Sequence, residues 1–97
     1  MKQRYFIQIS FKGTNYHGWQ VQPNAITVQS ILNKTLSTVL REKIETTGAG
    51  RTDTGVHAKF FIAHFDSLKQ NLDEDSGIIY SLNGILPNDI SVHRLFK

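Results

Sequence analysis

The sequence of 97 residues contains no cysteine. That excludes disulfides, thiolate nucleophiles and cysteine-based zinc sites, and it fits a cytoplasmic protein. No apolar run approaches the roughly 18 residues a membrane helix needs, so no membrane partner is expected. Met1 to Tyr5 is polar and charged, without the apolar stretch of a secretory signal. His17, His57, His64 and His93 stand at no metal-ligand spacing, and no metal site is expected. Repeats, low-complexity tracts and linkers are also lacking, which points to one domain over residues 1–97. A chain of this size buries roughly 60–70% of its unfolded surface, enough for one core. Charge of one sign is in slight excess. Eleven Lys and Arg against eight Asp and Glu leave +3, a bias that favours a nucleic-acid partner only weakly.

What is present reads as alternating strands and amphipathic helices. From Arg4 to Lys12, Tyr5, Ile7, Ile9 and Phe11 fall on one face and Phe6, Gln8, Ser10 and Lys12 on the other, the period of a half-buried strand. Gly13 to Asn24 has loop composition. Thr27 to Glu42 carries Val28, Ile31, Leu32, Thr35, Leu36, Val39 and Leu40 at helical spacing. Thr27 suits the N-cap and Ile26 with Ile31 a hydrophobic staple. Ser30 stands where a reciprocal capping box has Glu or Gln, so no box is expected. Lys43 to Thr47 reads as a short strand and Lys59 to Phe65 as an alternating one. Asp73 to Leu86 has helical spacing, with Asn83-Gly84 an early stop and Pro87 a firm one. Ile90 to Phe96 is a last strand, with Ile90, Val92 and Arg94 alternating against Ser91, His93 and Leu95. The order βαββαβ predicts an α+β, ferredoxin-like fold: a four-stranded antiparallel sheet with two helices on one face.

Chemistry concentrates in Gly48 to Ala58. This glycine-rich connection sets one carboxylate, Asp53, between Arg51 and His57. A neighbouring cation keeps an aspartate ionised, and an ionised carboxylate can serve as nucleophile or base. Taken alone, the same pattern describes a solvated turn with a surface ion pair. The loop Lys12 to Gln22 adds Tyr16, His17 and Trp19 beside Lys12. Aromatic rings next to cations suit unstacked bases, although Trp19 can equally pack over the sheet edge.

Ala49-Gly50-Arg51-Thr52-Asp53 with Gly55, Val56 and His57 resembles the catalytic motif of the tRNA pseudouridine synthase A (TruA) family. Gly13-Thr14, Tyr16, Gly18-Trp19-Gln20 and Gln22 resemble that family's loop after the first strand. Asn83, Leu86-Pro87 and Asp89-Ile90 resemble its segment before the fourth. The resemblance implies isomerisation of uridine to pseudouridine in the anticodon arm of tRNA, without cofactor, metal or energy source. It implies that Asp53 is the catalytic residue, attacking sugar or base or abstracting a ribose proton. Arg51 would pair with Asp53 or fill the space of the extruded nucleotide. Thr52, His57, Lys12, Tyr16, Trp19 and Gln20 would contact the RNA, with Lys12, Arg51 and Lys59 meeting phosphates. Lys12 stands where the family often has Asp, so that contact changes from carboxylate to cation. The family's second half, with the tyrosine that stacks on the target base, has no counterpart in these residues. The chain therefore reads as an N-terminal part, inactive alone, with a homodimer of the complete enzyme left open.

Two rivals are weighed. Asp53-Thr54-Gly55 matches the triplet of aspartic proteases, but that fold is nearly all β, and Arg51 would oppose the shared proton of a two-aspartate site. An RNA-recognition-motif-like binding module has the same βαββαβ order and presents aromatics from its central strands. Solvent-facing Phe60 and His64 would favour the module, and Asp53 at a cleft would favour the synthase.

Overall fold

The computed structural model describes residues 1–50 and 55–97. Strand β1 runs Gln3–Phe11, helix α1 Val28–Leu40, β2 Thr47–Gly48, β3 Ala58–Ser67, α2 Ile78–Ile85 and β4 Ile90–Phe96. Short 3₁₀ turns occupy Gly13–Asn15 and Leu72–Glu74. The sheet order is β2-β3-β1-β4, and every described pairing is antiparallel. This is the expected α+β, ferredoxin-like arrangement. No helix among the described residues is long and apolar enough to cross a membrane.

Alternation along β1 decides which face is covered. Tyr5, Ile7, Ile9 and Phe11 are buried together with Ala63 and Phe65 of β3 and Ile90, Val92 and Leu95 of β4. Helix α1 closes that face with Val28, Leu32, Leu36 and Leu40, and α2 with Ile78 and Leu82. Full burial of a Leu, Ile or Phe side chain contributes about 1.5–3 kcal/mol, so this layer is the main source of stability.

Four expectations about the elements change. First, α1 does have a capping box: the Thr27 hydroxyl accepts from Ser30 N, and Ser30 Oγ accepts from Thr27 N. A serine hydroxyl can accept a hydrogen bond as a Glu carboxylate does. Second, most of the strand expected at Lys43 to Thr47 is not paired with β3. Its backbone bonds to α1 side chains instead: Ile44 N donates to Ser37 Oγ, Thr46 N to Asn33 Oδ1, and Gln29 Nε2 donates to Thr46 O. Third, the helix expected from Asp73 begins at Ile78 and does not stop at Asn83-Gly84. It ends at Ile85 because Leu86 precedes Pro87 and is extended, with ψ 145°. Asn83 instead clamps β4, donating to Val92 O and accepting from Val92 N. Fourth, alternation in β4 fails after Val92: Leu95 is buried and Arg94 exposed. Gln8 pairs with Arg94 but Ile9 with Val92, so His93 is the extra residue of a bulge.

Candidate RNA interface and active-site loop

Asp53, Arg51 and Thr52 lie outside the described residues. The structure does describe what holds the chain on either side of them. The loop after β1 grips both flanks.

On the C-terminal flank, Gly13 lies so close to Val56 that a Cβ there would come within 1.9 Å of the Val56 carbonyl oxygen. Only glycine permits that approach. Gly13 N donates to His57 Nδ1 at 2.8 Å, so this ring nitrogen carries no proton in the contact. Gly55 N donates to Tyr16 O at 3.2 Å. Tyr16 is itself buried, and its hydroxyl donates to the Asp89 carboxylate. Burial, then the hydrogen bond to Asp89 and its negative charge, raise the Tyr16 pKa far above the usual phenol range. Lys12 N donates to Asp89 O at 2.9 Å, which closes the loop onto the start of β4.

On the N-terminal flank, the indole of Trp19 is fully buried and packs on Phe61 with centroids 4.7 Å apart. A Cβ on Gly48 would lie 2.4 Å from Trp19 Nε1. Of the two roles open to Trp19, the structure places the ring in core packing rather than on a surface open to bases. Ala49 N donates to Ile62 O and carries the β2 pairing one residue further. Gln29, which sequence reasoning did not single out, ties loop to strand: its Oε1 accepts from Val21 N, and its Nε2 donates to Thr46 O. A polar residue inside the apolar stripe of α1 was the available signal. Gln20 is exposed and lines a second hollow with Gln29, Thr46 and Gly48.

Beside the C-terminal flank an open groove of about 490 Å³ lies across the ends of β1, β3 and β4. Ser10, Lys12, His57, Lys59, Asp89 and His93 contribute to its walls. The structure thus brings Lys12 and His57 together and separates them from Trp19 and Gln20. Ser10 and His93 are further wall residues, with Ser10 Oγ 2.7 Å from His93 Nε2. They were legible only as outward-facing positions. Phe60 is 68% exposed on the uncovered sheet face, and His64 is half-buried against Phe6.

Residues 7–93 match the tRNA pseudouridine synthase family. The tRNA pseudouridine synthase A of Bacteroides fragilis is 53% identical over 95 residues, which cover 98% of this chain and 37% of that protein. The Aquifex aeolicus protein of the same name is 46% identical over 93 residues, 96% of this chain and 38% of its own length. The chain therefore spans little more than a third of these relatives, and it belongs to the tRNA pseudouridine synthase family.

Proposed function

We propose that the complete protein carrying this chain isomerises uridine to pseudouridine in the anticodon arm of tRNA, in the cytoplasm, with Asp53 as nucleophile or base. The supporting observation is the family match across residues 7–93, which contains Asp53 within its glycine-rich motif. Clamping of both flanks by one loop adds to it, because a reacting carboxylate must be held near its target and misplacement of about 1 Å can cost a hundredfold in rate.

The reaction breaks the bond from base to ribose, turns the base and rejoins it through carbon 5. A stacked base hides those atoms, so the nucleotide must leave the helix first. Arg51 would hold the Asp53 charge or occupy the vacated space, with Thr52, His57 and Lys12 as further RNA contacts. Tyr16 acts instead through the loop it holds: it is buried, its hydroxyl donates to Asp89, its N donates to Gly13 O and its O accepts from Gly55 N. The exposure of Phe60 is also what a purely RNA-binding module would display. Catalysis is preferred because the motif around Asp53 serves no purpose in such a module.

The test is Asp53→Asn in the complete protein, which keeps the shape and removes the charge. Pseudouridine formation should collapse by several orders of magnitude while tRNA affinity stays within a few-fold, since the lost interaction belongs to the transition state. Turnover near the wild-type rate would remove Asp53 from the mechanism.

A further inference from the structure

The sheet face opposite the helices has an irregularity that the family match does not require. In β3, Ile9 pairs with Phe61 and Phe11 with Ala58, so Lys59 and Phe60 together oppose Ser10. Ala58 and Phe61 both pack against the core although they are three residues apart. In a regular strand they would face opposite ways. The bulge therefore turns two consecutive residues, Lys59 and Phe60, outward. The β4 bulge does the same: Val92 and Leu95 are both buried, and the two residues between them, His93 and Arg94, are both exposed. The bulges lie on either side of β1, flanking Gln8 and Ser10. Bulges of this kind re-aim side chains at functional sites.

We propose that this doubly bulged face is a platform for a strand of the tRNA next to the target nucleotide. Phe60 stacks on an unpaired base, and Lys59 and Arg94 meet the adjoining phosphates. The inference rests on the proposed RNA substrate and extends it to residues outside the active-site motif. Charge selects nucleic acid over a protein partner. Among the described residues, none of Lys12, Lys59 and Arg94 takes part in an ion pair, whereas Asp66 on the same face is paired with Arg4 at 2.9 Å and Asp89 accepts from Tyr16. Arg94 lies 4.9 Å from the centre of the Phe96 ring, which stacks on Phe6. The exposed phenyl of Phe60 offers the flat apolar area that a base covers.

The experiment measures binding of an unmodified tRNA transcript to the complete protein as a function of salt. Lys59→Gln and Arg94→Gln should each lower the slope of log affinity against log salt by about 0.7–0.9, the value of one phosphate contact. Lys34→Gln, an exposed position on α1 on the covered side, should leave the slope unchanged. Phe60→Leu keeps an apolar side chain but loses the ring. It should weaken binding about 5- to 150-fold, and Phe60→Trp should retain affinity. Unchanged slopes in both charge variants, or Phe60→Leu binding within twofold of wild type, would overturn the proposal. So would Phe60→Ala turning an oligomer into a monomer with RNA affinity intact, because the face would then be a protein interface. Reduced slopes in a protein that forms no pseudouridine would leave the RNA platform standing and sink the catalytic reading instead.

Discussion

Gly13→Ala adds one carbon where the loop after β1 meets the segment that follows Asp53. The new Cβ would lie 1.9 Å from Val56 O, 2.6 Å from its carbonyl carbon and 2.8 Å from its nitrogen. All three are backbone atoms, so no side chain can rotate away, and the two loops must part by roughly 1 Å or more. Overpacking of this kind costs about 1–3 kcal/mol. Separation also breaks the hydrogen bond from Gly13 N to His57 Nδ1, a net loss of about 1 kcal/mol. The expected destabilisation is about 2–4 kcal/mol, a large part of a typical total of about 5–15 kcal/mol. Gly84→Ala is the matched control. Gly84 lies within α2 with no atom within 4 Å of its Cβ position, so the substitution should stabilise by about 0.5–1 kcal/mol through helix propensity alone. Urea unfolding of the two variants of the complete protein measures both signs at once. If Asp53 reacts as proposed, pseudouridine formation by Gly13→Ala should fall about a hundredfold, because the displaced Val56 and His57 follow it along the chain. Equal unfolding midpoints for Gly13→Ala and wild type would refute the close approach and, with it, the clamp on the segment that follows Asp53.

Tyr16 gives a pH-dependent expectation. Its folded-state pKa is raised above the unfolded phenol value of about 10, so folding holds the proton more tightly. The resulting stability is fully present below about pH 10 and is lost as pH rises beyond it. Tyr16→Phe should remove that alkaline loss while costing about 1.5–3 kcal/mol near neutrality, the worth of a hydrogen bond to a charged group. Thermal unfolding from pH 7 to 11 reads both; an unaltered alkaline limb in the variant would show that another group titrates. The 97 residues alone should fold, bind tRNA weakly through a few phosphate contacts, so that binding fades as salt rises, and form no pseudouridine. Multiple turnovers by the isolated chain, abolished by Asp53→Ala and counted by mass spectrometry, would contradict this.

Residue types and their spacing determined the element order, the helix-covered face of the sheet and the position of Asp53 in a glycine-rich connection. Those features depend on local periodicity and on a contiguous motif, both of which are written along the chain. Tertiary structure decided the rest. Asn33 and Ser37 look like ordinary helix positions, yet with Gln29 their side chains take the backbone bonds of Ile44 to Thr46 and shorten β2 to Thr47–Gly48. Trp19 was open to two roles, and only the approach of Gly48 and Phe61 placed it in the core. The two bulges are invisible to period-two reasoning, because they arise where three strands must keep their apolar sets on one face. That constraint turns Lys59-Phe60 and His93-Arg94 outward. Alternation within a strand is a local property, whereas register is a property of the pair.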